Sequence, residues 1–377
     1  MKPFAETFPP GHFIQLELEA RGWKQVDLAQ VMGVSNRVVH ELITGKRRIT
    51  PKTATELADA FGSDPKEWLT MQAMYDYATG DAETDDTRRR KSALWHRAPM
   101  RAMFKRGWLV EKESVDLLES QVKQFYRISE IGESSPTKCA ARKTGEEGEL
   151  TKEQEAWFCR AWNLAESLPL KARYSSKAFG AGLFDKLSSA LEEAQEIRHI
   201  PKVLEEYGIR FLIVEHLPGS KIDGICFWLN DYSPVVALSM RYDRIDWFWF
   251  TLCHELAHVY FGDGKESPLI DTSLVGRDAT PTASLSSEER RANEFAEAFL
   301  VDQDELNDYV NRVSPLFSNA SLLSFAKRIH VHPGIVVGQL HYKQHLPYSH
   351  GKQMLVPVKD IILGTALTDG WGHTVAI

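Results

Sequence analysis

Two histidines four residues apart, His254 and His258, stand in the run FWFTLCHELAHVYFGD, with Glu255 directly after the first. Positions four apart on a helix share a face. Both imidazoles can therefore be directed at one ion, as the HExxH pattern does for zinc. Glu255 is rotated about 100° around the axis from His254, too far to be the natural third ligand but near enough to touch a metal-held water. Its expected role is general base, taking a proton from that water as it attacks a peptide carbonyl. Zinc makes this feasible near neutral pH by lowering the pKa of its water to about 7. The flanks WFWFTLC and VYFG are apolar. Burying two imidazoles and a carboxylate without a partner is costly, which argues against a surface helix that carries two histidines by chance.

A catalytic centre needs a third protein ligand and one open position. SSEERRANEFAEAFL downstream has the pattern of an amphipathic helix. Glu289 near its start is the expected ligand, and Asn293 lies one turn on, where its amide can hydrogen-bond a ligand histidine. Glu288 is the rival, but its i+4 neighbour is Ala292, which offers no such bond. Ser286 with Glu289 also reads as a capping box, a role that merely ties up a helix end. His332, in RIHVHPGIVVGQLH, either stabilises a developing oxyanion at the open position or satisfies a loop. Cys253 on the motif helix either senses oxidation or simply packs, the commoner fate of such a thiol.

These residues need a scaffold. IRFLIVE, GICFWLN and PVVALS are short β-branched and aromatic runs separated by turn residues. They predict a small, mostly antiparallel sheet followed by the long motif helix, an α+β arrangement. MLVPVKDIILGTALTDGWGHTVAI reads as strands and turns without nameable chemistry.

The first eighty residues are different. GHFIQLELEARG places Phe13, Ile14 and Leu18 on one face and stops at Gly22, and QVDLAQVMG places Val26, Leu28 and Ala29 in helical spacing. Gly33 breaks the chain, Ser35 caps a third helix, Gly45 follows it, and Thr50–Pro51 and Asp64–Pro65 start two more. A helix, a tight glycine turn and a second helix make a helix-turn-helix. Asn36, Arg37 and His40, with Ser35 before them, fall where side chains reach base edges in the major groove. Gln25 begins the second helix, whose amides face a phosphate, and Lys46, Arg47 and Arg48 are placed for phosphate oxygens. A small bundle with merely solvated polar faces is the plainer alternative.

Between these parts, GDAETDDT reads as an acidic linker and Arg88–Arg106 as a charged helical stretch. SVDLLESQVKQFY and EQEAWFCRAWNLAESL are helical patterns, and SSPTKCAARKTGEEGEL an exposed connection. The chain of 377 residues, 43% hydrophobic and 26% charged, has the balance of a soluble multidomain protein. Its net charge of −7 means that DNA contact must come from a local basic patch. No apolar run reaches the roughly 18 residues of a membrane span. MKPFAETFPPGHF lacks a signal pattern, and the four cysteines share no CxxC spacing, so a cytoplasmic protein with free thiols is expected.

The run from Pro9 to about Ala78 resembles the antitoxins of the HigA type, an XRE-like helix-turn-helix. DWFWFTLCHELAHVYFGD, EERRANEFAEAFL and FAKRIHVHPGIVVGQLH, within Gly208–His341, resemble the ImmA/IrrE zinc metallopeptidases. The second resemblance implies a zincin-like fold, His254, His258 and Glu289 as Zn2+ ligands with a gluzincin-like third carboxylate, and Glu255 as the catalytic residue. It also implies cleavage of a partner repressor, with PVVALS as an edge strand offered to the substrate backbone.

The expected architecture is multidomain and mainly α with an α+β part. A five-helix helix-turn-helix domain spans 1–80, a linker and helical connecting region 81–199, a metallopeptidase domain 200–345, and a C-terminal extension 346–377. The expected partners are double-stranded operator DNA, a repressor or antitoxin substrate (including another copy of the chain), a toxin, and a second protomer, since such modules read paired half-sites. Two readings stand. One is a regulatory zinc endopeptidase. The other is a non-proteolytic antitoxin or repressor whose zincin-like part senses metal or ligand or binds a toxin.

Overall fold

The computed structural model describes residues 8–79, 82–136, 142–143, 150–265, 268–272, 274 and 285–376. It divides into two compact units, Met1–Arg89 and Arg90–Ile377. The boundary falls inside the helix Ala82–Arg97, which takes up most of the stretch expected to be a linker.

Among the described residues, five helices lie wholly within the first unit: α1 (Pro10–Arg21), α2 (Gln25–Met32), α3 (Asn36–Ile43), α4 (Pro51–Phe61) and α5 (Pro65–Thr79). Ile14, Leu18, Leu28, Val39, Leu42, Leu57 and Trp68 form its core. Gly11 lets α1 lie directly on α3, because a Cβ there would sit 2.1 Å from the Ile43 carbonyl oxygen. Gly22 and Gly33 end α1 and α2 in the left-handed conformation that glycine adopts without penalty. One local expectation is corrected: Ser35 stands at the N-cap of α3, but its side chain makes no capping hydrogen bond. Of the three apolar residues spaced along α2, Leu28 and Ala29 are buried and Val26 faces water at 58% exposure.

The second unit is built on a six-stranded sheet of order β1-β5-β3-β4-β2-β6. Its strands are β1 (Arg142–Lys143), β2 (Arg210–Val214), β3 (Ile222–Trp228), β4 (Pro234–Leu238), β5 (Leu269–Thr272) and β6 (Leu367–Asp369). The sheet is mixed, not mostly antiparallel. β3 runs antiparallel to β4 and β5, while β1–β5, β2–β4 and β2–β6 are parallel. The short β3–β4 connection enforces a hairpin, whereas strands that arrive through long connections are free to run parallel. PVVALS, expected at an edge, forms β4 between β3 and β2.

Both faces of the sheet are covered. Cys226, Trp228, Val236 and Leu238 pack with the motif helix (Ile245–Phe261) in one core. Leu212, Val214, Ile225, Phe227, Val235 and Ala237 pack with helices of the middle region, including Lys152–Ser167, in the other. A sheet buried on both faces reads as continuous apolar runs instead of alternating ones. β1, from the segment expected as 81–199, and β6, from that expected as 346–377, join this same sheet. Within the expected exposed connection, Ser135 is buried and its hydroxyl donates to Glu155, while residues 137–141 and 144–149 lie outside the described set.

Candidate metal centre and nucleic-acid interface

The motif helix is buried from Ile245 to Val259 and stops at Gly262, whose φ of 77° is left-handed. Cys253 packs inside it, and burial pushes its thiol upward, away from the reactive thiolate. His254, Glu255 and His258 are each fully buried. A second helix, Ser287–Leu300, packs against it and carries Glu289 and Asn293. The Ser286 hydroxyl accepts from the Glu289 backbone N–H at 3.3 Å, so the helix start is capped. The Glu289 side chain is nevertheless turned inward, with Oε2 3.2 Å from His254 Nε2 and Oε1 3.5 Å from His258 Nε2. Glu288 is exposed, and its carboxylate accepts from the Ser287 hydroxyl.

The hydrogen bonds fix the tautomers. His258 Nδ1 lies 3.1 Å from Asp263 Oδ2, and a carboxylate oxygen accepts, so Nδ1 carries the proton. His254 Nδ1 lies 2.9 Å from Asn293 Oδ1, which assigns it the same tautomer. Both Nε2 atoms, 3.0 Å apart, then face a common space, where each offers a lone pair once any proton on it is displaced. Two facing lone pairs in a buried site repel unless a cation sits between them. This donor set fits a metal ion.

The centre contains a residue that sequence patterns did not reveal. Asp271 on β5, fully buried, brings Oδ2 to 3.3 Å from His254 Nε2. One ligand atom from each of His254, His258, Asp271 and Glu289 lies within 4.8 Å of all the others. Asp263 is the other unforeseen participant, and Arg291 Nη2 holds both of its carboxylate oxygens at 2.9 and 3.0 Å.

Electrostatics follow from this crowding. For His254, burial pulls downward, but the Asp271 and Glu289 carboxylates outweigh it and raise the imidazole to about 10. For Glu289, burial pushes upward, yet His254 and His258 hold it well below the usual carboxylate range. Burial, with Asp271 and Glu289 alongside, drives Glu255 well above its ordinary value. His332 takes a separate position. It stands at the N-cap of the helix Pro333–Tyr342, where its Nδ1 accepts from the Gly334 N–H at 3.0 Å, and it is not in the four-residue group.

In the first unit, Ser35, Asn36, Arg37, His40, Lys46 and Arg47 are exposed along α3 and just after it, and Gln25 is half-buried at the start of α2. Glu41 accepts from Arg37 Nε at 2.8 Å and from Arg47 Nε at 3.1 Å, so two of the candidate DNA contacts share one carboxylate. Arg48 pairs with Asp76 instead.

Residues 14–68 match a family model described as helix-turn-helix, and residues 204–330 match a peptidase model described as an IrrE N-terminal-like domain. Over 88 residues the chain is 37% identical to virulence-associated protein A' of Dichelobacter nodosus, covering 23% of this chain and 73% of that protein. Over 82 residues it is 30% identical to the uncharacterized HTH-type transcriptional regulator YddM of Escherichia coli (strain K12), covering 22% of this chain and 87% of that one. The chain belongs to the helix-turn-helix regulators. This regulator also carries a domain of a metallopeptidase family, and that matched segment contains His254, Glu255, His258, Asp271 and Glu289. Among solved structures, an addiction module antidote protein of a HigA family from Coxiella burnetii is 28% identical to the regulator. It covers 22% of this chain and 90% of that one, with a TM-score of 0.21. No helix among the regulator's described residues is long and apolar enough to cross a membrane.

Proposed function

We propose that this regulator binds double-stranded operator DNA through α2 and α3 and cleaves a protein partner through a zinc centre held by His254, His258 and Glu289. The observation that carries the reading is the convergence of two imidazole lone pairs and a buried carboxylate beside Glu255. A bound zinc ion supplies Lewis acidity and lowers the pKa of a water to about 7. Glu255 takes a proton from the attacking water and returns it to the departing amide nitrogen, a shuttle suited to a carboxyl with an elevated pKa. Asn293 and Asp263 keep both imidazoles in the tautomer that exposes Nε2. His332 acts as a helix cap and takes no part in the proton shuttle. The substrate class is a repressor or antitoxin, including a second copy of this chain. Two copies on paired half-sites form the DNA-bound species. The likeness of Pro9–Ala78 to HigA-type antitoxins supports a toxin as a further partner. The buried thiols of Cys226 and Cys253 support a cytoplasmic setting.

The test is incubation of the zinc-loaded full-length protein with candidate repressors, comparing wild type with Glu255→Gln. Cleavage by the wild type alone supports the reading, and equal cleavage by both removes Glu255 from it. Asp271 favours a second reading, a non-proteolytic repressor that senses metal, because four protein ligands leave no place for water. Repression in cells that persists unchanged in His254→Ala, with no metal in the purified wild type, would exclude both.

A further inference from the structure

A catalytic zinc centre keeps three protein ligands and one open position, whereas a closed one fills all four. The geometry around His254 is that of the closed kind. Bonds of about 2.0–2.1 Å from zinc to nitrogen and oxygen place tetrahedral ligand atoms about 3.3–3.4 Å apart. Four of the six separations straddle that value, and one ligand atom from each of the four residues lies within 4.8 Å of all the others. The four are 3.0 Å for His254 Nε2 to His258 Nε2, 3.2 Å for His254 Nε2 to Glu289 Oε2, 3.5 Å for His258 Nε2 to Glu289 Oε1, and 3.3 Å for His254 Nε2 to Asp271 Oδ2.

Asp271 reaches the centre through a specific backbone device. β5 pairs antiparallel with β3, and the register shifts between Ile222 and Gly224, with Gly224 opposite Asp271 and Ile222 opposite Thr272. The extra residue of this bulge, Asp223, lies on β3, and across it the Asp271 carboxylate comes to 3.3 Å from His254 Nε2. The opposite strand position is glycine, which leaves the space that Glu255 and Asp271 share. A Cβ at Gly224 would lie 2.2 Å from Glu255 Oε1. The centre is thus bounded by the motif helix, the Glu289 helix and β5 beside the bulged β3.

We propose that Asp271 is a fourth protein ligand that closes the metal centre to outside ligands and so holds the peptidase latent until that carboxylate is displaced. The proposal rests on the metal-centre reading above and adds its regulation. A partner or ligand that pulls β5 away would vacate the position a water must enter, while His254, His258 and Glu289 retain the ion.

The full-length protein loaded with cobalt(II) tests this, with azide as the incoming ligand. The wild type is expected to hold one cobalt per chain with visible bands that saturating azide leaves unmoved. Asp271→Ala is expected to keep its cobalt on the remaining three ligands and to shift its bands with azide. Asp271→Asn, which preserves side-chain shape and replaces a strong ligand by a poor one, is expected to behave likewise and decides the matter should the alanine variant fail to fold. Bands that move with azide in the wild type as they do in the variants would overturn the proposal, as would variants as unresponsive as the wild type. The same samples incubated with denatured casein separate the two readings. Azide-responsive variants that cut casein while the wild type does not support latency. Azide-responsive variants that cut nothing leave the closure standing and remove the peptidase.

Discussion

Gly224 and Glu255 stand against each other with no room for a side chain between them: the hydrogen at Gly224 fills the place where any Cβ would meet Glu255 Oε1 at 2.2 Å. Thr251 Cγ2 closes the other side at 3.0 Å. Gly224→Ala therefore forces Glu255 to turn or the bulged strand to shift. Overpacking of this kind costs about 1–3 kcal/mol. The variant is expected to keep most of its metal and to unfold at lower denaturant concentration, as metal analysis and chemical denaturation will read, and to lose hydrolysis when made in the Asp271→Ala background.

Asn293 touches no reacting atom but sets the His254 tautomer from 2.9 Å. Loss of such a supporting bond typically lowers metal affinity about 10–100-fold. Asn293→Ala should show that loss in chelator competition, while Asn293→Asp, which still accepts from Nδ1–H, should restore much of it. An unchanged affinity in the alanine variant would show that the imidazole is held by packing alone.

Glu255 is not in the group of four ligand atoms. Glu255→Gln should leave metal content at the wild-type level and reduce hydrolysis at least about 100-fold, the usual worth of a positioned general base. Because Asp271 closes the centre, this comparison is best made in the Asp271→Ala background.

On the DNA side, Arg37→Ala with His40→Ala should narrow the gap between operator and random DNA, while Lys46→Ala with Arg47→Ala should weaken all sequences alike and flatten the salt dependence. Glu41 adds a sharper expectation. Its carboxyl is held below the ordinary value because Arg37 and then Arg47 bond to it, and its single negative charge offsets part of theirs. Glu41→Gln should raise affinity for random DNA at low salt and steepen the salt slope, measured by fluorescence anisotropy.

Asp223 offers a pH signature. Burial raises it to about 6 against the opposing pull of Arg241. A carboxyl raised in the folded state binds its proton more tightly than in the unfolded chain. Its stabilising contribution is full below the ordinary value near 3.8 and is lost as pH rises through about 6. The full swing amounts to about 3 kcal/mol. Guanidinium denaturation of the second unit should show stability falling between pH 4 and 7 (a window set by these two values), and Asp223→Asn should flatten that fall.

The parts of the centre readable in the sequence are those that helical periodicity fixes. His254, Glu255 and His258 obey one helix, and Glu289 and Asn293 another, so residue spacing alone selects them. Asp271 was not readable, because its approach depends on a strand register and a bulge formed across forty-odd residues of chain. Asp263 escaped notice since it lies past the helix end at Gly262, where the chain turns back toward His258. The sheet was only partly legible. Burial on both faces removes the alternation that orients a strand, so nothing in the pattern of β4 opposed the edge placement that the zincin resemblance implies. β1 and β6 are too short to announce themselves.

The two-sided covering of the sheet has a practical corollary. A fragment trimmed to the matched segment 204–330 omits β6, which lines β2, and the helix Lys152–Ser167 that roofs the second sheet face. Leu212, Val214, Ile225, Phe227, Val235 and Ala237 would be bared to solvent as one greasy slab, and such a truncation is destined for inclusion bodies. Whoever dissects this protein must cut near Arg90 and keep the tail.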